Sequence, residues 1–158
     1  MGSAPEGTLP VRVRFGLQKT NLKDMDIEHS NWNGYEVYGD IKELDAIVES
    51  NGFINLDKDD VVEVLSAEGE NYVTTGIDNQ IDDAFTKAIN GLPYSIDKIT
   101  NFIISFRCGN RQPNMTEILK IPSFLSEANP DIDVRWGITK DETSGDSFKV
   151  ILVTSANL

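Results

Sequence analysis

GFINLDKDDV, residues 52–61, decides how the chain is read. Asp57, Asp59 and Asp60 crowd together just after Asn55. Carboxylates that close repel one another, so something must offset the repulsion. Three arrangements would do so: a helix start, a bound cation, or a water that needs activating. As a helix start the stretch is well made. Asp57 stands where an N-cap belongs and Asp60 follows three residues later. Asp59 and Asp60 fall in the first turn, where the helix dipole favours negative charge by about 0.3–1 kcal/mol each. Val61, Val64 and Leu65 then line one face of a short helix.

Working outward, the segment before the acidic loop is IKELDAIVES, with Ile41, Leu44, Ile47 and Val48 at helical spacing and Gly52 beyond its end. After the loop, NYVTTGI (71–77) is rich in β-formers. Ile81, Ala84, Phe85, Ala88 and Ile89 make an amphipathic helix closed by Gly91 and Pro93. ITNFIISFRC (99–108) is apolar on both faces and predicts a central strand. Asn114 and Glu117 suit a capping box, and Pro122 predicts a kink or break in the helix that follows. Ile132, Val134, Trp136 and Ile138 alternate with polar residues or glycine as a half-exposed strand does; of the two tryptophans that could anchor a contact, Trp32 and Trp136, this alternation favours the core for Trp136. KDETSGD (140–146) is turn chemistry, and FKVILVTSA (148–156) is a second two-sided strand, expected to pair with the previous one as a hairpin.

At the other end, Leu9, Val11, Val13 and Phe15 alternate with polar or turn residues as a strand would. Arg12 and Arg14 lie on one face of it, either solvated or forming an added contact surface. Residues 17–34 read as a loop and Tyr35–Tyr38 as a short strand. The domain organisation expected is a flexible or tag-derived start over 1–8, an N-terminal extension with one or two strands over 9–38, and a folded domain over 39–158. The fold class is α+β: a two-layer sandwich with helices packed on a mixed sheet of four to five strands.

The composition narrows the function. The chain has 158 residues and a formal charge of -12, so it lacks the basic excess that nucleic acid or an anionic membrane demands. The single cysteine, Cys108, cannot form an internal disulfide or a paired-cysteine zinc site, and it fits a reducing, cytoplasmic setting. His29 is the one histidine and sits in a polar stretch, which suits a solvated residue better than a catalytic base. No apolar run approaches the roughly 20 residues that span a bilayer. No glycine-rich phosphate loop is present either.

These residues resemble the C-terminal domain of the FtsZ/tubulin family. Gly52, Asn55, Asp57, Asp60 and Val61 match the family's catalytic loop, Gly-x-x-Asn-x-Asp-x-x-Asp followed by an aliphatic residue. IKELDAIVES resembles the end of the family's long central helix, and EGENYVTTGI its strand ending in Thr-Gly. IDKITNFIISFRCGN resembles the next strand and glycine turn. IDVRWGITKDETSGDSFKVILVTSA resembles the closing hairpin, with Gly137, Gly145 and Asp146 in register. The likeness runs from Asp40 to the end of the chain. Two family features are missing from the sequence: the Gly-Gly-Gly-Thr-Gly-x-Gly signature of the GTP-binding domain, and the C-terminal tail that binds membrane tethers.

The resemblance implies a role for the opening stretch. In the family this loop acts on the GTP of the neighbouring subunit, where its acidic residues position and polarise the attacking water. It implies Asn55, Asp57 and Asp60 as catalytic residues in trans, with Asp59 left as a cap or solvent residue. It implies no cofactor bound by this chain alone, but GTP and Mg held by a partner subunit, and no autonomous enzyme activity. The partner would be a full-length FtsZ-like protein or a second copy, with no nucleic acid and no direct membrane contact. The chain would then complete a bacterial GTPase site or cap a filament. A non-catalytic interaction module of the same fold is the alternative.

Overall fold

The two stretches that are apolar on both faces sit side by side at the centre of one sheet. In the computed structural model, which describes residues 29–49 and 52–158, they are β5 (Ile99–Cys108) and β7 (Phe148–Ala156), paired antiparallel along their length. Around them lie β1 (His29–Trp32), β2 (Tyr35–Gly39), β3 (Gly52–Ile54), β4 (Glu70–Asp78) and β6 (Asp133–Lys140). The order across the sheet is β1-β2-β4-β7-β5-β6-β3. β2–β4 and β5–β6 are parallel and the remaining pairs antiparallel, so the sheet is mixed.

Alternation along β5 and β7 divides the core in two. Phe102, Ile104, Phe106, Val150 and Leu152 point to one face, where α3 (Ile81–Asn90) and α4 (Met115–Ala128) cover them. Ile103, Ile151 and Val153 point to the other, where α1 (Glu43–Glu49) and α2 (Lys58–Leu65) lie. Each such fully buried side chain contributes about 1.5–3 kcal/mol relative to exposure. The seating of α3 is unusually close. A Cβ on Gly76 of β4 would stand 2.0 Å from the Ala84 carbonyl oxygen, so only glycine lets helix and strand meet there.

The α+β class and the mixed sheet are those expected. The sheet is wider and more fully covered than the sequence indicated: seven strands among the described residues, with helices on both faces, rather than four to five strands under one helix layer. Two-sided apolar strands demand a cover on each face, and α1 with α2 supplies the second. β6 and β7 do not form a hairpin. β5 lies between them, parallel to β6, because its two apolar faces belong at the centre beside β7.

Part of the polar stretch read as a loop is strand β1, joined to β2 through Asn33 and Gly34 at φ 50° and 94°. Those angles suit a tight hairpin turn. Helix α4 runs unbroken through Pro122, held on the sheet by buried Ile118, Ile121 and Leu125 on both sides of it. The expected strand at Leu9–Phe15, with Arg12 and Arg14, lies outside the described residues. So does the expected flexible start.

Candidate functional site

The acidic loop is built where β3 hands over to α2 at one edge of the sheet. β3 pairs antiparallel with β6, Ile54 opposite Ile138. Past Ile54 the chain turns inward once, at Leu56, which is 8% exposed and packs with α1 and α2. Asn55 and Asp57, on either side of that anchor, are exposed. The anchor fits because β6 offers a glycine beneath it. A Cβ on Gly137 would lie 2.7 Å from the Ile54 carbonyl oxygen and 2.8 Å from Leu56 Cγ.

Of the three arrangements that would justify the clustered aspartates, the helix start is present in full. Asp57 is the N-cap of α2, with extended backbone at φ -112° and ψ -179°. The Asp60 amide donates to Asp57 Oδ1 at 3.0 Å, and the Asp57 amide donates to Asp60 Oδ2 at 3.0 Å. This reciprocal capping box satisfies two amides that the helix leaves without a partner. Asp59 lies in the first turn, exposed. Among the described residues, no group of three or more His, Cys, Asp or Glu is arranged to hold a metal ion.

One residue of the site was not singled out in the sequence. Arg135 of β6 reaches across to the start of α2 and places each guanidinium nitrogen against a carboxylate. Nη1 lies 3.2 Å from Asp60 Oδ1, Nη2 2.8 Å from Glu63 Oε2, and Nε 3.4 Å from Asp133 Oδ2. The hydrogen bond and charge of Arg135 hold the Glu63 carboxyl below its ordinary value. The Glu63 hydrogen bond in turn raises the Arg135 pKa, so the guanidinium stays charged throughout. The signal was the alternation of β6, which sets Arg135 and Gly137 on the same face, but it does not reveal what lies opposite.

The remaining candidates stand elsewhere. His29 is on β1, at the far edge of the sheet from the acidic loop, with Nε2 3.6 Å from Glu36 Oε2 and its ring 5.1 Å from that of Tyr38. Trp32 is buried and donates from Nε1 to Asp45 Oδ1 at 2.9 Å, so it is a core residue. Trp136 packs edge-on against Phe106 with ring centres 6.4 Å apart. Asn114 caps α4 by accepting from the Thr116 amide. Cys108 is buried in the core beneath α3 and α4, and burial pushes its thiol pKa up, away from the thiolate.

Comparison with solved structures identifies the fold. The chain matches the empty FtsZ dimer of M. jannaschii with a TM-score of 0.61 at 24% identity, over 73% of this chain and 35% of that one. It matches CetZ from Methanosaeta thermophila with a TM-score of 0.60 at 20% identity, over 73% and 34%. It also matches TubZ of Bacillus thuringiensis serovar israelensis, solved as a GTPγS-form protofilament, with a TM-score of 0.56 at 14% identity, over 73% and 31%. No protein-family model and no curated protein sequence matches the chain. The fold is therefore that of the FtsZ C-terminal domain, and the chain spans about a third of the length of these structures.

Proposed function

We propose that this chain is an FtsZ-like cytoskeletal domain of the bacterial cytoplasm that acts on the nucleotide face of a full-length FtsZ-like partner. Asn55, Asp57 and Asp60 form the face it presents, completing a GTPase site in trans or capping the end of a filament. The observation that carries this reading is the pairing of exposure with rigidity in the loop. Asn55 and Asp57 are exposed, yet Leu56, the capping box and Arg135 fix the backbone around them. Such preset geometry is what a site needs if it is to position a water without reorganising. The nucleotide and Mg belong to the partner, since a carboxylate approaching a phosphate needs a cation or a shared water to offset repulsion.

The alternative, an interaction module without catalytic work, is favoured by one observation: both oxygens of Asp60 already accept hydrogen bonds within the chain. GTP turnover and pelleting of a full-length FtsZ-like protein from the same organism separate the two readings. The site reading predicts a dose-dependent change with wild type that Asn55→Ala/Asp57→Asn removes. A change that survives that double substitution assigns the chain to the interaction class. No change with wild type defeats both as stated for this partner.

A further inference from the structure

The acidic loop holds two matching aspartates, and the structure treats them differently. Asp60 gives one oxygen to the Asp57 amide and the other to the Arg135 guanidinium. Its side chain is 30% exposed. Asp57 gives only Oδ1 to the helix, and its Oδ2 has no hydrogen-bond partner among the described residues. Arg135 is itself held on three sides, by Asp60, Glu63 and Asp133, and its side chain is 26% exposed. It spans from the sheet to the first turn of α2. Remove its charge and three carboxylates face one another at the end of β6 without a cation between them.

We propose that Arg135 is a positioning residue of the loop and that it withdraws Asp60 from direct chemistry, leaving Asp57 and Asn55 as the groups that reach a partner's nucleotide. This rests on the function proposed above. Asp60 acts through Asp57: the Arg135–Asp60 pair fixes the capping box, and the capping box fixes the direction of Asp57 Oδ2. Pairing Asp60 with a guanidinium also lowers the negative charge that the loop carries toward a phosphate. Asp60 and Arg135 thus form one positioning unit whose effect passes through Asp57.

Two readouts test this. The first is amide hydrogen exchange at Asp57 and Asp60 in wild type, Arg135→Met and Arg135→Lys. Protection of both amides falls in Arg135→Met and is partly restored in Arg135→Lys; unchanged protection in Arg135→Met overturns the proposal, whatever the partner does. The second is partner GTP turnover at saturating concentrations of this chain. Arg135→Met and Asp60→Asn each reduce the stimulated rate by about tenfold, and the double variant is no worse than either alone. Asp57→Asn removes the stimulation by itself, and adding Arg135→Met to it changes nothing further. A stimulated rate that Arg135→Met leaves untouched, or losses that add between Arg135 and Asp60, overturn it. If wild type itself leaves turnover unchanged, the function proposed above falls and the assignment of Asp57 and Asn55 falls with it. The exchange data then still decide whether Arg135 positions the loop.

Discussion

Asp57 serves the fold and the proposed site with different oxygens, so substitution can separate the two. Asparagine caps a helix about as well as aspartate, whereas alanine does not. Asp57→Ala is expected to destabilise the chain by about 1 kcal/mol, and Asp57→Asn to leave stability near wild type, read from urea unfolding midpoints. Equal losses from both would mean that charge, not capping, is what the position contributes. Gly137 makes a sharper demand, because its missing Cβ is the space that Leu56 and Ile54 occupy. Gly137→Ala should cost about 1–3 kcal/mol through overpacking and raise amide exchange in the loop. Wild-type stability and exchange in that variant would show that the loop is not seated on β6 as described. The capping box was legible in the sequence because its two partners are three residues apart. Arg135 was not, because its bond to Asp60 spans 75 positions and only the folded sheet brings them together.

Among the elements, the apolar pattern reveals each strand and helix more plainly than it reveals their pairing. β5 and β7 announced themselves by apolar residues on both faces, and α3 by its spacing. β6 and β7 follow one another in sequence but are not neighbours in the sheet, because β5 lies between them. What decides position is how many faces a strand must bury, and that puts β5 beside β7. The Asn33–Gly34 dipeptide was a hairpin signal hidden in a polar stretch. Between β6 and β7 the turn is tied down by Asp141. Its Oδ2 accepts from Arg107 Nε at 3.0 Å, and its Oδ1 accepts from the Thr143 amide at 3.1 Å. Burial raises the Asp141 pKa, but the hydrogen bonds from Thr143 and Arg107 outweigh it and hold the carboxyl below its ordinary 3.8. A depressed carboxyl stabilises the fold fully above its unfolded value and ceases to as pH falls through its folded value. The urea midpoint should therefore fall as pH drops from about 5 to about 3, and Asp141→Asn should flatten that fall. An identical acid dependence in Asp141→Asn would place the acid-sensitive group elsewhere.

For the whole molecule, the sequence carried the fold class because the acidic loop, the two-sided strands and the glycine turn occur in a recognisable order. It did not carry the second helix layer, since α1 and α2 show their apolar faces without showing which side of the sheet receives them. The solved structures that share the fold include a dimer and a protofilament, each of a chain of which the match covers about a third. The proposed function divides the labour: a partner holds nucleotide and cation, and this chain presents a rigid acidic loop. The measurement that tests it most directly is GTP turnover by a full-length FtsZ-like partner as this chain is titrated in, wild type beside Asp57→Asn. The account predicts a saturable change in turnover with wild type, lost in Asp57→Asn although that variant remains as stable as wild type. Superimposable curves for the two proteins would contradict it.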